Sequence, residues 1–375
     1  MSNSDMAFQQ ISEIRNQLRC LGARPAHEQR ILRLWSQAKP QNSGSRSLES
    51  FMPAALRQAL PQLSEKLSTL LRLQSTHLAK DGSVRWLLAL QDGQTVETVG
   101  LPRDGVCVSS QVGCAVGCVF CMTGKEGLIR QVGSAEIVAQ VAFARLHRVV
   151  KKVVFMGMGE PAHNLDNVLE AIEVLGTVGN IGHKSLVFST VGDSRVFERL
   201  SLGLVKPALA LSLHSTRADL RAELLPRAPK MTPEELVEAA EIYAQQTGYP
   251  IQYQWTLLEG VNDTQEEIEG IVRLLKGKYA LMNMIPYNSV DDLPFRRPSW
   301  ERAAEIARTL HRQGILTKLR NSAGQDVEGG CGQLRARHLQ AESSSNQRNL
   351  SKPLRTLKAI EAPLHFVKAK PATFL

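Results

Sequence analysis

The chain has 375 residues, 43% of them hydrophobic and 22% charged, with a formal net charge of +9. That is a globular composition with room for one large core and a small accessory domain. No apolar run approaches the ~18 residues of a membrane span, and the polar start Met1-Ser2-Asn3-Ser4-Asp5 lacks an apolar signal core, so a cytoplasmic protein without a membrane partner is expected. The positive charge sits at the ends, with 11 Lys/Arg against 5 Asp/Glu in residues 1–80 and 8 against 2 in residues 335–375. A polyanion-binding enzyme has this pattern, since phosphate contacts supply most nucleic-acid affinity; plain solubility charge has it too.

Residues 6–38 read as two helices, with Phe8, Ile11, Ile14, Leu18 and then Ile31, Leu32, Leu34, Trp35 at helical spacing and Gly22 and Pro25 between them. The polar stretch 41–45 precedes a further helix predicted over about 53–74. Residues 1–80 thus read as a helical accessory domain that grips RNA, with Cys20 a core residue. From Asp81-Gly82 the period changes, and two strands around Gln91-Asp92-Gly93-Gln94 predict a β-hairpin over 81–104. Glu97 falls on the second of these strands, where a charge ordinarily marks the wet face.

From Gly105 to about Leu319 strand and helix alternate. The strands are predicted at 106–110, 152–156, 185–190, 208–213, 251–257 and 280–285. Amphipathic segments lie near 134–149, 164–176, 194–202, 232–246, 264–276 and 299–313. Six such units predict an α/β fold with a parallel sheet and a core over 105–334, in which active groups gather at the C-terminal strand ends. Residues 335–375 read as a basic, poorly ordered tail.

After the first strand comes Cys114-Ala115-Val116-Gly117-Cys118-Val119-Phe120-Cys121. Three thiols this close converge on one inorganic centre, and three ligands rather than four leave one metal position open for chemistry. A zinc site completed by a distant His or Cys, and stray core cysteines, are the alternatives; a disulfide fits such a trio poorly in a cytosolic enzyme. The later strand tips carry Gly157-Met158-Gly159-Glu160-Pro161, Ser189-Thr190-Val191-Gly192, Ser212-Leu213-His214 and Pro286-Tyr287-Asn288. Glycines there admit close backbone approach, Glu160 can pair with an ammonium, and Ser189, Ser212 and Asn288 offer groups for a carboxylate, a ribose or an adenine. His214 reads equally well as a satisfied histidine at a strand end. Finally, Cys331 stands in a glycine-rich stretch, Gly324 to Leu334.

The Cys-x3-Cys-x2-Cys spacing, with an aromatic before the last cysteine, resembles the radical S-adenosylmethionine superfamily. Together with Cys107-Val108-Ser109-Ser110-Gln111-Val112-Gly113-Cys114, the Gly157–Pro161 motif and Cys331-Gly332-Gln333-Leu334, it resembles the RlmN/Cfr family over about 95–334. These enzymes methylate adenine carbons, C2 or C8, in RNA. The resemblance implies a partial (β/α)6 barrel of the radical SAM type. It implies a [4Fe-4S] cluster on Cys114, Cys118 and Cys121, with S-adenosyl-L-methionine, two per turnover, held by Gly159, Glu160, Ser189, Ser212, Leu213, His214 and Asn288. It further implies that Cys331 carries a methyl group, that a 5′-deoxyadenosyl radical activates it, and that Cys107 resolves the RNA adduct through a transient Cys107–Cys331 disulfide, with Glu97 as proton acceptor. Ribosomal RNA is the implied partner, with transfer RNA a second candidate; an electron donor such as flavodoxin or ferredoxin and a monomeric state complete the expectation. The rival readings are a radical enzyme acting on a non-RNA substrate and a non-catalytic RNA-binding protein with a structural metal.

Overall fold

The structure is a computed structural model that describes residues 8–44, 46–125, 127–288, 293–320 and 333–337. The stretch 321–332, which contains Cys331, and the tail from 338 onward lie outside the described residues, as does the reading of that tail.

Four helices come first, α1 (Ile11–Cys20), α2 (Pro25–Ser36), α3 (Leu48–Phe51) and α4 (Ala54–Ser68). Four strands follow, β1 (Leu71–Leu78), β2 (Val84–Leu90), β3 (Thr95–Leu101) and β4 (Gly105–Cys107), and then a small hairpin, β5 (Gln111–Gly113) with β6 (Leu128–Gln131). The remainder alternates: α5 (Ser134–His147), β7 (Lys152–Phe155), α6 (Leu165–Thr177), β8 (Leu186–Thr190), α7 (Ser194–Leu202), β9 (Ala208–Ser212), α8 (Ala218–Leu224) and α9 (Pro233–Thr247). It ends with β10 (Ile251–Leu257), α10 (Gln265–Leu275), β11 (Ala280–Pro286), α11 (Trp300–Arg312) and β12 (Thr317–Leu319).

Local chemistry sets several boundaries. At α9, Thr232 Oγ1 accepts from the Glu235 N–H at 3.2 Å, while the Glu235 carboxylate accepts from the Thr232 N–H at 2.8 Å. This reciprocal cap, with Pro233 in the first turn, satisfies donors that the first turn leaves unpaired. The helix stops at Gly248, whose φ of 70° suits glycine.

Ten strands form one sheet in the order β1-β2-β3-β4-β7-β8-β9-β10-β11-β12. The first four pair antiparallel and every pair from β4 to β12 is parallel. The sheet is an open, mixed one rather than a closed barrel, and the parallel part has seven strands where six are expected, the extra one being the three-residue β12. The helix expected over 53–74 stops at Ser68, because Leu71–Leu78 pairs with β2 and becomes an edge strand.

Paired residues point to the same side of a sheet, and successive residues alternate. One face therefore carries Trp86, Leu88, Val153, Phe155, Phe188, Leu209, Tyr253, Trp255 and Met282, all buried under the helices in the main core. The other face carries Glu97, Val99, Cys107, Val154, Val187, Ser189, Ala210, Ser212, Gln254 and Asn283. The N-terminal helices are fixed to the first face: the Ile11 N–H donates to Ser134 Oγ at 2.9 Å, Arg145 donates to the Ser36 carbonyl at 2.6 Å, and Gln37 donates to the Val178 carbonyl at 2.9 Å. No helix among the described residues is long and apolar enough to cross a membrane.

Candidate active site

The cysteine loop leaves the sheet at β4 and is tied down on both flanks. Cys114 donates its N–H to the Gly127 carbonyl at 2.9 Å, and Cys121 donates to the Cys118 carbonyl at 3.0 Å. Gly113 has a φ of 77°, and a Cβ there would sit 2.0 Å from the Gly127 oxygen, so only glycine fits the turn into Cys114. A satellite apolar cluster joins Cys114 and Val116 to Val191, Leu258 and Tyr287, with Cys118, Val119 and Phe120 packed against it. The loop thereby meets the tips that follow β8, β10 and β11.

Burial raises all three thiols, Cys114 to about 12, with Cys121 and Glu160 adding to the effect at Cys114 and Cys121, Cys114 and Glu160 adding at Cys118. Several potential anions thus share one buried space. Arg221 on α8 is the cation beside them. Burial lowers it to about 10 against the opposing pull of Cys118 and Glu160, and its guanidinium donates to the Val191 and Ser212 carbonyls. Among the described residues no three His, Cys, Asp or Glu close to the spacing of a single metal ion. A thiol trio, one buried and two half-buried, that holds its protons is a donor set that an iron–sulfur centre fits, since metal charge draws thiol protons off.

The loop after β7 is laced to the strand leading into the cysteines. The Gly157 N–H donates to the Val108 carbonyl at 3.0 Å, and the Ser110 and Gln111 N–H groups donate to the Met158 carbonyl at 2.9 and 3.1 Å. Gly159 has a φ of 102°, and a Cβ there would meet Gln111 Cβ at 2.5 Å. The Gln111 amide carbonyl accepts from the Glu160 N–H at 2.7 Å. Glu160 is buried; its Oε1 accepts from the Ala162 N–H and its Oε2 from the Val191 N–H, each at 3.0 Å. Burial nevertheless raises its carboxyl to about 7, so a cation brought against it would be bound strongly.

His214 is buried at a left-handed position with φ of 60°. Its Nδ1 accepts from the Thr256 N–H at 3.0 Å, which makes Nε2 the protonated nitrogen. Its ring meets Phe120 edge-on at 5.0 Å, between Cys118 and Cys121 in sequence. Burial, then Arg221, lowers its pKa to about 3, so the ring stays neutral. Ser189 and Ser212 are half-buried on the inner face, and Asn288 is half-buried just past β11. Leu213 turns its side chain into the main core and its N–H to the Gln254 carbonyl at 3.1 Å.

Glu97 stands on the inner face of β3 beside Cys107. Its Oε2 is 3.1 Å from Arg85 Nη1 and its Oε1 accepts from the Arg335 N–H at 3.0 Å; both side chains of the ion pair are almost fully buried. It is therefore no wet-face charge. Cys107 is buried against Val99, Val154 and Val187, and burial raises its thiol to about 12, with Arg85 opposing and Glu97 adding. Ser109 Oγ donates to the Glu97 carbonyl at 2.6 Å and accepts from the Met158 N–H at 2.9 Å, joining this corner to the Gly157–Pro161 loop. The structure brings Glu97 and Cys107 together, and Glu160, His214 and the three cysteines together; Cys331 lies outside the described residues.

Sequence reasoning missed Arg85, Gln111, Gln140 and Arg221. Gln140 is fully buried, accepting from Thr98 Oγ1 and the Ser109 N–H and donating to the Ser109 carbonyl. A signal existed only for Arg85, which lies diagonally across the hairpin from Glu97.

Residues 108–275 match the Radical SAM superfamily. A probable RNA methyltransferase of Leptothrix cholodnii is 72% identical over 329 residues, covering 88% of this chain and 95% of that protein. One from Stutzerimonas stutzeri is 66% identical over 329 residues, covering 87% and 96%. The crystal structure of a radical SAM methyltransferase from Sphaerobacter thermophilus superposes with a TM-score of 0.73 at 32% identity, covering 89% of this chain and 98% of that one. With the thiol trio, the open sheet and relatives of this identity in agreement, the chain belongs to the radical SAM superfamily.

Proposed function

We propose that this protein is a radical S-adenosylmethionine RNA methyltransferase of the RlmN/Cfr type, adding a methyl group to an adenine carbon, C2 or C8, of ribosomal RNA or transfer RNA. The observation that carries the reading is the placement of Glu97 near Cys107 on one buried face, with the Glu97 carboxylate accepting from the Arg335 N–H, four residues past Cys331. An enzyme acting on a small molecule has no need of two cysteines outside the cluster trio. The names of the curated relatives support the RNA assignment.

Cys114, Cys118 and Cys121 would hold the [4Fe-4S] cluster, and Glu160, Gly159, Ser189, Ser212, the Leu213 backbone, His214 and Asn288 would surround the S-adenosylmethionine. When bound, these groups supply a methyl donor and, after one-electron reduction by a flavodoxin- or ferredoxin-like carrier, a carbon radical able to attack an aromatic carbon that is not nucleophilic. Glu160 orients an ammonium, and neutral His214 presents a fixed N–H. Glu97 accepts the proton lost from the modified adenine carbon. Cys331 bears the methyl group and the RNA adduct. Once the adduct has given one electron back to the redox carrier, the Cys107 thiol attacks the Cys331 sulfur: an S–S bond forms as the S–C bond breaks, and the carbon takes the electron pair and a proton, balanced by the one the thiol loses, to become the methyl group.

Mass spectrometry of nucleosides from the RNA of a deletion strain tests this. A methylated adenosine that disappears on deletion and returns with the wild-type chain is expected. An unchanged set of methyladenosines, with the enzyme expressed and its cluster assembled, overturns the proposal.

A further inference from the structure

A second polar cavity lies away from the thiols, between α2 and the end of α6. It has a volume of about 570 Å³ and is lined by Gln29, Arg30, Arg33, Arg46, Phe51 and Asn180 among others. Gln29, Arg30 and Arg33 share one stripe of α2, with Gln37 just past its end, while Ile31, Leu32 and Trp35 on its other side enter the core.

Among the described residues, three arginines and no acidic side chain line this space. Among the described residues none of the three makes an ion pair, whereas Glu28 on the same helix is engaged by Arg19. Arg30 is the unusual group. It is only 6% exposed, and its guanidinium is held in place by the Arg46 carbonyl at 3.1 Å and the Ser43 carbonyl at 3.4 Å. It lies over the Phe51 ring at 5.2 Å, and Arg46 stands over the same ring at 5.9 Å. A guanidinium fixed in place by two carbonyls, and two more guanidinia at the rim, form a preorganised positive site for an oxyanion.

We propose that this cavity binds backbone phosphates of the RNA substrate, holding the RNA at a point remote from the thiol centre. The inference rests on the RNA methyltransferase reading and adds a site to it. The cavity is several times larger than one phosphate needs, as a chain of phosphodiesters passing through would require, and it belongs to the basic N-terminal part of the sequence.

The test is fluorescence anisotropy of a fluorescein-labelled RNA hairpin with the full-length protein over a potassium chloride series. Arg30→Gln risks unfolding, so the Arg33→Gln/Arg46→Gln double variant carries the measurement, with circular dichroism to verify its fold. Each lost phosphate contact lowers the salt slope by about 0.7–0.9, so a slope smaller by about 1.5 and binding weaker by at least about tenfold at low salt are expected. The charge-matched control Arg308→Gln/Arg312→Gln, on the exposed side of α11, should leave the slope at the wild-type value. Wild-type binding with an unchanged slope in the Arg33→Gln/Arg46→Gln variant overturns the cavity proposal alone. Failure of the wild type to bind RNA overturns the RNA reading with it. If inorganic phosphate raises the melting point of the wild type but not of the variant, and both bind RNA with equal slopes, the cavity takes free anions and the proposal fails.

Discussion

Arg335 donates its backbone N–H to the Glu97 carboxylate at 3.0 Å across 238 residues of chain. The same carboxylate faces Arg85 at 3.1 Å from a buried position. Removing one member of a buried ion pair strands the other, a loss of about 3–5 kcal/mol. Glu97→Ala should therefore lower stability by about 3 kcal/mol, and Glu97→Ala/Arg85→Met by clearly less than the two single changes combined. Urea denaturation of the four proteins checks this; an additive double variant would show that the two side chains are not coupled.

Cys107 and Cys20 should differ sharply in reactivity. Cys20, expected in the core, is instead exposed at the end of α1, whereas Cys107 is buried with its thiol raised to about 12. Near pH 8 such a thiol is ionised in roughly one molecule in ten thousand. Iodoacetamide followed by peptide mass spectrometry should label Cys20 within minutes and Cys107 only after denaturation. Rapid labelling of native Cys107 would contradict its burial.

The same residue separates function from packing. A core thiol replaced by alanine leaves turnover intact with mild destabilisation. A resolving thiol replaced by alanine leaves RNA attached to the protein through Cys331. Denaturing gels of Cys107→Ala from cells should show a nuclease-sensitive adduct that vanishes in Cys107→Ala/Cys331→Ala. Intact methylation with no adduct would remove Cys107 from the reaction.

Changing Cys118 to alanine should abolish iron binding and S-adenosylmethionine cleavage together, because two thiols cannot hold the cluster that three hold. Iron content and 5′-deoxyadenosine formation after anaerobic reconstitution measure this. A full iron complement in the variant would reassign the ligands.

Glu160 gives a pH dependence of stability in the cluster-free protein. Burial lifts its carboxyl from 4.5 to about 7. The folded state thus holds the proton more tightly than the unfolded chain. The stabilisation from this group is fully present below the unfolded value and is lost as pH rises through about 7. Glu160→Gln should therefore gain in melting temperature relative to wild type between about pH 5 and pH 8. A difference independent of pH would show that the carboxyl titrates normally.

The six strand–helix units could be read from the sequence because a buried parallel strand and an amphipathic helix have different periods. β1 could not, since Leu63, Leu67, Leu70 and Leu71 continue a helical stripe past Ser68 and most of the strand is exposed. β12 has three residues, too few for a period. The cysteine trio and the Gly157–Pro161 loop were visible as motifs. What escaped was the wiring: Gln111, Gln140 and Arg221 matter through contacts made tens of residues away. Glu97 shows the limit most clearly. Its strand predicted a wet face, and only the burial of the inner face and the arrival of Arg335 make it an interior charge.

The strand order of the large sheet has a consequence for how the protein is made. Each strand lies next to the one that precedes it in the sheet along the chain. A nascent polypeptide can then assemble this sheet in the order of translation, adding one edge at a time with short loop closures. The Glu97–Arg335 bond is the exception: its carboxylate is synthesised early and its donor emerges only after β12. Until then the Glu97 carboxylate lacks this donor, so the corner where Cys107 lies is completed by a segment made after the whole sheet.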